Sequence, residues 1–584
     1  MVVDLKNVLM ASSRWLQQHA RLALCIMIVA SCALVASTYQ YFRHTWDEPE
    51  HLAAGMQLID KHIYTYDQQH PPLARLAMAV GPYLAGARSF GEPGPSGEQE
   101  GRDLLYRTGN YTLLLTLARI GMLPFYVVLL GATWWWSKHV YGVGTAYIAT
   151  LLLIATPPLL GHAGIAALDV PGAALCTLAF YCLLRWLQTH TWKHALLTAL
   201  AAGLAVATKL SALPFIGLVA ATWSVLALIN ASSAPQPATT ISRWAAQSIS
   251  IFGLSLLVAM FCYGYSFRMI VDDAHPNNTA LNYLLGYQGM FRDFVYAIAR
   301  HVPMPVGFER LTWSIEALSK HNTEGHLSYL LGSFSNTGFR DFYVIALLVK
   351  TPIPLLLLGV AGLLFMLWQL ASRRGQLIGV QQRWVHAAPA VAFVVLLVFC
   401  SVYSHINIGV RHVFVLYPLL CIAAAALTVK LWQKFNSRLT RSILIALVLL
   451  QASTLFASYP DYLPYFNAFA GDHPEKILID SDLDWGQDLQ RLEHRLNVLH
   501  VGKFGFVYRG SADVIGEHLP GVWMVQPFNP ATGWIAASIY ARDTVSQGQA
   551  FAWLKQYQPV ERIGKSIDLY YIPDTDSANI APNK

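Results

Sequence analysis

The chain has 584 residues, of which 55% are hydrophobic and only 12% are charged, and its formal net charge at pH 7 is +7. This composition excludes an ordinary soluble enzyme, because the charged residues are too few and the apolar runs too long. The positive charge does not require a nucleic-acid partner, since the Lys and Arg residues collect in short loops, as in membrane proteins. The composition therefore predicts a polytopic α-helical membrane protein without a nucleic-acid ligand.

The first apolar run extends from Leu22 to Tyr41 and follows the basic residues Lys6, Arg14 and Arg21. The run is long for the core of a signal peptide, and no convincing small-residue cleavage site follows it. At about 20 residues per crossing, it predicts a first membrane span that is retained.

An acidic pair, Asp47 and Glu48, follows this span directly. Ionisable groups at the edge of a bilayer are costly to keep away from water, so the pair indicates a functional site. A structural interpretation is equally open, in which Asp47 caps a loop helix that Pro49 opens.

Apolar runs along the rest of the chain predict about eleven membrane spans. Two boundaries are weakly defined, because the pair of runs that meets at Lys209 is short and Pro354 interrupts another run. The spans are predicted to begin near Leu22, Leu117, Gly142, Ile165, His194, Ser211, Ile249, Phe342, His386, Val413 and Ile443.

The distribution of basic residues predicts that the N-terminus is cytoplasmic, because alternate loops then hold the Lys and Arg residues. The opposite face receives two long loops, at about residues 43–116 and 265–341, and two short turns. The basic residues assigned to the inner loops are Lys138, Arg185, Lys193, Arg243, Arg373, Arg374, Arg383, Lys430, Lys434, Arg438 and Arg441.

The C-terminal segment, residues 471–584, lacks the long apolar runs of the membrane part, residues 1–470. Its short β-type stretches, such as Lys476 to Ile479 and Gly505 to Tyr508, predict one small α/β domain. An odd number of spans places this domain on the extracytoplasmic side. The Gly- and Pro-rich stretch from Phe90 to Arg102 is predicted to be an irregular loop.

Ionisable residues recur at the predicted outer ends of the spans, although a single Lys or Arg there usually extends to the lipid headgroups. Transfer of a sugar from a polyprenyl phosphate needs a carboxylate that takes the proton of the acceptor and cations that stabilise the leaving phosphate. The outer face holds both kinds of group. They are Asp47, Glu48, His70, Arg75, Asp169, Lys209, Glu309, Arg310, His326, Arg340, Lys350, His405, Arg411 and His412.

Several motifs together resemble bacterial glycosyltransferases of the C superfamily, related to family 39, to the dolichyl-phosphate-mannose protein mannosyltransferases and to the lipid A aminoarabinose transferases. The resemblance implies an extracytoplasmic active site in a bacterial inner membrane and an inverting transfer from a lipid-phosphate sugar. The motifs are Trp46-Asp47-Glu48-Pro49, His70-Pro71-Pro72-Leu73, Leu168-Asp169-Val170-Pro171-Gly172, Ala207-Thr208-Lys209, Leu348-Val349-Lys350-Thr351-Pro352, Asn407-Ile408-Gly409-Val410-Arg411-His412 and Asp480-Ser481-Asp482-Leu483-Asp484-Trp485-Gly486-Gln487-Asp488.

By this resemblance, Asp47 matches the essential acid of the first outer loop and is assigned as general base. Glu48 beside it would position the acceptor or adjust the basicity of the pair. Asp169 matches a second outer-loop acid, which would contact the acceptor, bind a metal or cap a helix.

The donor phosphate is assigned to basic residues. Arg411 is the best candidate, because a guanidinium offers two parallel donors and stays charged. Lys350 and Lys209 are further candidates. His70 stands where related transferases often have Lys, a departure that leaves Arg75 as a substitute.

The acidic run from Asp480 to Asp488 does not fit a calcium-binding EF-hand loop, because Trp485 occupies the position that needs Gly and Leu492 the position that needs Glu. The preferred interpretation is structural: Asp484 caps a helix with Gln487 at its third position, and Asp488 lies in the first turn.

Other functions stay open at this level. The sugar could be a mannose-like hexose or a pentose, and the acceptor a protein hydroxyl, a polysaccharide, a lipid-linked glycan or lipid A. A flippase of lipid-linked sugars would line a path with its charges and often has internal repeats, which are not evident here. A catalytically inactive scaffold is a third alternative. A divalent cation at Asp47, Glu48 and Asp169 is neither required nor excluded.

Overall fold

The computed structural model describes residues 17–91, 96–229, 238–269, 271, 278–372 and 383–574. In these residues, eight helical segments are long and apolar enough to cross a membrane. They are Tyr111–Tyr141, Asp169–Thr189, Ala212–Ile229, Ser242–Tyr263, Ile353–Ala371, Arg383–Tyr403, Leu416–Lys434 and Arg438–Ala457.

Three further segments explain why the sequence predicts about eleven spans. The helices Val143–Ile154 and Pro157–Ala163 meet at an angle of 69° and together meet the same length and hydropathy criteria. The apolar helices Ala20–Ala36 and Trp192–Val206 are shorter, with 17 and 15 residues. The polytopic helical fold is thus confirmed, and eleven remains a sequence-based count.

The run predicted to begin at Phe342, and to be interrupted near Pro354, is divided in the structure. It forms a short helix, Phe342–Lys350, and the long helix Ile353–Ala371. The break lies at Pro352, because the residue before a proline is disfavoured in the helical conformation and Thr351 is extended here. This break separates Lys350 from the membrane span that follows it.

Small residues allow the central helices to pack closely, as is usual between membrane helices. A Cβ atom at Gly362 would collide with the backbone of Ala423, so the helices Ile353–Ala371 and Leu416–Lys434 are in backbone contact there. Most of Asp169–Thr189 and of Leu416–Lys434 is buried inside the protein. These two helices form the centre of the bundle.

The first outer loop, residues 43–116, is mostly helical. It contains the helices Glu48–Lys61, Pro72–Leu84 and Gly97–Tyr106, and the helix Tyr111–Ile120 begins near its end. The prediction of an irregular loop through Arg102 was wrong, because Ser96 caps a helix there by accepting a hydrogen bond from Gln99 N at 3.1 Å. Residues 92–95 of that stretch lie outside the described residues.

The second outer loop, residues 265–341, combines short helices with two small hairpins. Strand β1 (Phe267–Arg268) pairs with β2 (Met304–Pro305), and β3 (Ser328–Leu330) pairs with β4 (Ser333–Ser335), both antiparallel. The helices are Thr279–Leu285, Met290–Ala299 and Val306–Glu324.

The tail contains a five-stranded mixed sheet and two helices. The strands are β5 Phe504–Val507, β6 Val522–Met524, β7 Gly533–Ser538, β8 Glu561–Ile563 and β9 Ile567–Ile572, and the helices are Leu489–Val498 and Ile539–Thr544. The strand order is β6-β5-β7-β9-β8. Strand β5 is parallel to both neighbours, whereas β9 is antiparallel to β7 and β8.

The small α/β tail is therefore confirmed, and one of its two predicted strands is present as β5. The stretch from Lys476 to Ile479 is not a strand. It follows a turn of 3-10 helix, Pro474–Lys476, whose Pro474 favours a turn rather than a sheet.

The tail lies on the same face as both outer loops. Trp46 N donates to Trp485 O at 3.0 Å, and Leu331 N donates to Ile477 O at 3.0 Å. Segments that the sequence assigns to the extracytoplasmic side are therefore in direct contact.

Candidate active site

Asp47 and Arg411 form an ion pair where the outer loops meet the membrane helices, although they lie 364 residues apart. Arg411 Nη1 is 2.7 Å from Asp47 Oδ2 and 3.5 Å from Asp169 Oδ2. Lys209 Nζ is 2.5 Å from Asp169 Oδ1. These four residues, all singled out from the sequence, form a chain of alternating charges that we call the rim cluster.

The members of the rim cluster differ in their access to solvent. The Asp47 side chain is 28% exposed, whereas Arg411 is 8% and Asp169 is 4% exposed. Burial lowers the pKa of Arg411, but the adjacent carboxylates of Asp47 and Asp169 more than compensate and hold it above its usual range. Arg411 is therefore a permanent buried cation, and Asp47 is the acid that an incoming molecule can reach.

Local backbone structure explains where the two acids point. Asp47 immediately precedes the helix Glu48–Lys61, which Pro49 opens as predicted, but its side chain makes no capping hydrogen bond. Asp169 is the first residue of the helix Asp169–Thr189 and also does not cap it by a side-chain bond to the N-terminal amides. Both carboxylates extend to cations instead, so the capping interpretation does not account for either residue.

Glu48 points away from Asp47 into a buried site. It accepts hydrogen bonds from Arg119 Nε at 2.9 Å, Thr45 N at 2.7 Å and Ala166 N at 2.7 Å. Burial raises the pKa of Glu48, but Arg119 and the two backbone amides outweigh it and lower the pKa below its usual value. Glu48 is 1% exposed and already paired, so it is not available to an acceptor as the sequence suggested.

Loss of Arg119 is expected to destabilise the protein strongly, because it leaves the Glu48 carboxylate buried and unpaired. Removing one partner of a buried ion pair costs about 3–5 kcal/mol. We expect Arg119→Ala to lower the midpoint of thermal unfolding markedly. The matched control is Arg107→Ala, since the Arg107 side chain is 56% exposed in its pair with Asp103 and such pairs contribute about 1 kcal/mol or less. Equal midpoints for the two variants would contradict this role.

Arg75 is not free to bind a donor phosphate as predicted, and one ring nitrogen of the 30% exposed His70 side chain is already paired. Arg75 is fully buried, forms an ion pair with Asp67 and donates to Tyr64 OH at 2.9 Å. His70 Nδ1 is 2.7 Å from the same Asp67 carboxylate. Burial raises the pKa of Asp67, but His70 and Arg75 outweigh it and hold the pKa well below its usual range. Arg75 faces inward on the helix Pro72–Leu84, and its role is to fix the first outer loop.

Lys350 is also placed differently from the prediction. Its ammonium is buried and donates to the backbone carbonyl oxygens of Leu463 at 2.9 Å and Asp482 at 2.5 Å. Burial lowers the pKa of Lys350 to about 8, although Asp482 partly opposes this shift. Lys350 therefore holds the start of the tail against the membrane helices, and its ammonium is already paired inside the protein.

The acidic run from Asp480 to Asp488 connects the tail to the loop that carries Arg411. Both carboxylate oxygens of Asp482 accept from Val410 N, at 3.1 and 3.2 Å. Asp484 does not cap the helix that follows it, as predicted. It accepts instead from Ser538 Oγ at 2.6 Å and from Tyr540 N at 2.8 Å, an amide in the first turn of the helix Ile539–Thr544. The next helix begins only at Leu489, and Asp488 precedes it without a side-chain cap.

Trp485, in the middle of this run, was not predicted as a site residue. Its ring lies 4.2 Å from the Arg411 guanidinium, and its backbone oxygen accepts from Trp46 N at 3.0 Å. An aromatic residue inside an acidic run was the signal available in the sequence. Trp485 thus contacts Arg411, a member of the rim cluster, and Trp46, the residue that precedes Asp47.

Replacing Trp485 by Leu is expected to weaken the fixation of Arg411, because a cation over a Trp face gains about 0.5–2 kcal/mol. We expect Trp485→Leu to raise the dissociation constant for an anion that binds Arg411, such as a polyprenyl phosphate, by up to about thirtyfold, which corresponds to 2 kcal/mol. Trp485→Phe keeps an aromatic face and should recover most of the affinity. If both variants bind this anion equally well, the ring contact is only packing.

The residues that the structure describes contain no group of three or more His, Cys, Asp or Glu side chains arranged to hold a metal ion. Of the three acids considered for a divalent cation, Asp47 and Asp169 face Arg411, and Glu48 faces Arg119. An Arg side chain therefore lies next to each of the three carboxylates.

A family model from known membrane enzymes matches part of this chain. The family model for dolichyl-phosphate-mannose-protein mannosyltransferases matches residues 24–271. This match confirms, over these residues, the resemblance to the dolichyl-phosphate-mannose protein mannosyltransferases that the motifs predict. The long apolar helices are those of a multi-pass membrane protein. Among curated proteins, the sequence comparison finds no match.

Solved structures with a similar arrangement are remote in sequence. ArnT from Cupriavidus metallidurans bound to undecaprenyl phosphate is 11% identical, with 93% of this chain and 97% of that chain covered and a TM-score of 0.45. The oligosaccharyltransferase AglB from Archaeoglobus fulgidus, in complex with an inhibitory peptide and a dolichol-phosphate, is 10% identical, with 97% and 76% covered and a TM-score of 0.48.

Proposed function

We propose that this protein is a membrane glycosyltransferase that moves a sugar from a polyprenyl phosphate to an acceptor hydroxyl, with inversion. The observation that carries the proposal is the rim cluster, in which an accessible carboxylate, Asp47, lies 2.7 Å from a buried guanidinium, Arg411. The family match over residues 24–271 supports sugar transfer as the reaction class. The site would lie on the extracytoplasmic face of a bacterial inner membrane, with the N-terminus cytoplasmic.

Asp47 acts as the general base in this proposal. The acceptor oxygen attacks the anomeric carbon of the donor sugar while Asp47 takes the hydroxyl proton, and the bond from that carbon to the phosphate oxygen breaks. The bonding electrons leave with the phosphate, and attack from the opposite side inverts the configuration. A positioned base contributes about 10²–10⁴-fold to such a step.

Arg411 and Lys209 stabilise the charge that develops on the leaving phosphate. In the structure, Asp47 and Asp169 neutralise these cations. A phosphate that approaches Arg411 competes with Asp47 for the guanidinium, and Asp47 is then free to contact the acceptor hydroxyl. The donor is therefore expected to bind before the acceptor.

Glu48 and Trp485 are positioning residues in this proposal. Glu48 anchors the start of the helix that follows Asp47 through Arg119 and Ala166 N. Trp485 and Asp482 support the segment that carries Arg411. The tail would thus complete the site, and residues 471–584 are proposed as a separate extracytoplasmic domain.

The donor sugar is proposed to be a mannose-like hexose or a pentose, and the acceptor a protein, a glycan or a lipid. Transfer of aminoarabinose to lipid A falls within the same chemistry. The decisive experiment incubates purified protein in lipid nanodiscs with a panel of labelled polyprenyl-phosphate sugars and follows release of the polyprenyl phosphate. Release from at least one donor, absent in Asp47→Asn, is expected. No release from any donor, with water or a mixed membrane extract as acceptor, would overturn the proposal.

A further inference from the structure

The second outer loop carries an apolar surface that faces away from the protein. On the helix Met290–Ala299, four large apolar side chains are exposed, from 42% at Ile298 to 90% at Met290, with Phe291 and Phe294 between these values. With about 3.6 residues per turn, the four positions fall within about one third of the helix circumference. They therefore lie side by side and form what we call the apolar stripe.

The opposite side of this helix places polar side chains inside the loop, beside a small apolar cluster. Arg292 Nε donates to Asn282 Oδ1 at 3.3 Å, and the guanidinium lies 4.1 Å from the centre of the Tyr296 ring. The Tyr296 hydroxyl is 2.7 Å from the same Asn282 oxygen, and Asn278 Nδ2 donates to Glu309 Oε1 at 2.9 Å. Polar groups thus lie inside the loop and large apolar side chains outside, the reverse of a helix on a water-exposed surface.

The residues before the apolar stripe add further exposed apolar surface. Tyr283, Leu284 and Tyr287 are all exposed. Tyr is enriched where a protein meets the membrane–water boundary. A large exposed apolar patch marks a site that contacts a membrane or another protein, and the position of this loop favours the membrane.

Two contacts hold the loop at the end of a membrane span. Little of the span Ser242–Tyr263 is buried inside the protein, so most of its surface faces lipid. Strand β1, which follows this span, pairs with β2, which follows the helix of the apolar stripe, and Phe267 lies opposite Pro305. Arg310 Nη1 donates to the carbonyl oxygen of Tyr263 at 2.7 Å. The apolar stripe is therefore anchored next to a surface that lipid already covers.

Charged residues beside the apolar stripe indicate how deeply it enters the lipid. Asp293, whose side chain is 69% exposed, and Arg300, which is also exposed, lie along one edge of the stripe. Ionised groups are costly in the hydrocarbon region but favourable among the headgroups, and a long Arg side chain extends to them. This arrangement suits a helix that lies flat in the interface and does not cross the membrane.

We propose that the helix Met290–Ala299 is an interfacial anchor, which lies in the membrane leaflet on the side of the outer loops with its apolar stripe among the acyl chains. Such helices enter the boundary between headgroups and acyl chains by about 5–10 Å. The partner of this surface is phospholipid and not a second protein. The anchor holds the second outer loop against the membrane, and this inference does not depend on the transferase function.

Site-specific photocrosslinking of the full-length protein in phosphatidylcholine nanodiscs tests the inference, with alkyne-tagged phosphatidylcholine as the probe. The photoreactive residue p-benzoylphenylalanine replaces Met290 or Phe294 in the stripe. Phe261, 67% exposed on the span, is the lipid-facing control, and Ile515, 87% exposed on the tail, is the water-facing control. We expect lipid adducts at positions 290 and 294 within about twofold of those at 261, and few at 515.

A conventional substitution provides an independent measurement in the same nanodiscs. Phe294→Ser should speed tryptic cleavage after Arg300 by about tenfold, because lipid no longer holds the ring and the helix opens more often. Ile515→Ser removes an exposed apolar side chain from the tail and should leave this rate unchanged. Thermal unfolding verifies that each variant is folded.

The inference is overturned if positions 290 and 294 form no more lipid adducts than position 515, or if they crosslink to a second copy of the chain in place of lipid. Cleavage of Phe294→Ser at the wild-type rate would also overturn it. Neither measurement uses a sugar donor, so failure of the proposed transferase function would leave this result unchanged.

Discussion

Asp47→Asn is expected to reduce sugar transfer by about 10²–10⁴-fold while leaving the protein folded. The substitution keeps the size of the side chain and an oxygen that can accept from Arg411, which lies 2.7 Å away. It removes the basic carboxylate that would take the acceptor's proton. The measurement is single-turnover release of polyprenyl phosphate from the donor that the wild type uses, with donor affinity and thermal unfolding determined in parallel.

The control for this experiment is Asp103→Asn in the same outer loop. Asp103 is 20% exposed and pairs at 3.0 Å with Arg107, which is 56% exposed. Its substitution should leave transfer within about twofold of the wild type, because such pairs near the surface contribute little. Donor affinity in Asp47→Asn should be unchanged or higher, because less negative charge then competes with the phosphate for Arg411. Turnover of Asp47→Asn at the wild-type rate would exclude Asp47 as the base.

Arg411→Lys is expected to weaken donor binding by about ten- to a hundredfold and to leave acceptor binding nearly unchanged. Hydrogen bonds to charged groups are worth about 1.5–3 kcal/mol, and an ammonium cannot reproduce the two parallel donors of a guanidinium. Lys is preferred to Ala because it keeps a positive charge between Asp47 and Asp169, which lie 2.7 and 3.5 Å from Arg411 Nη1. Titration with labelled polyprenyl phosphate measures the effect directly.

Arg411→Ala extends this test and separates binding from folding. It leaves Asp169, which is 4% exposed, with Lys209 as its remaining cation, so we expect both weaker donor binding and lower thermal stability. The matched control is Arg340→Ala, since Arg340 is an exposed cation on the same outer loops. Donor binding that falls equally in the Arg340 and Arg411 variants would indicate a diffuse electrostatic effect instead of a phosphate site.

The tail has a more direct connection to the site than its composition suggests. Asp482 accepts from Val410 N, and Trp485 lies against Arg411. Gly409 permits this approach, because a Cβ atom there would collide with Ser481 Oγ. The acidic run, predicted from the sequence to cap the helix that follows it, instead connects the tail to the Arg411 loop.

Sequence reasoning located the rim cluster better than the residues around it. Asp47, Asp169, Lys209 and Arg411 were all assigned to the outer face, and they are in contact. Arg75 and Lys350 satisfied the same criterion, a basic residue at the outer end of a span, yet both are fully buried. Position along a span does not reveal whether a side chain faces outwards or is already paired.

The membrane fold and the α/β tail follow from the sequence alone, and the sequence predicts that the ionisable residues lie on one outer face. Hydropathy and loop charge are local properties, and each is readable in a window of about 20 residues. Which charges pair depends on how the helices pack. Asp47 and Arg411 are 364 residues apart and Glu48 and Arg119 are 71 residues apart, so each pair meets only in the folded chain. The role of the acidic run is likewise visible only in the folded protein, because the residues that it contacts lie on distant segments and cannot be read from the run itself.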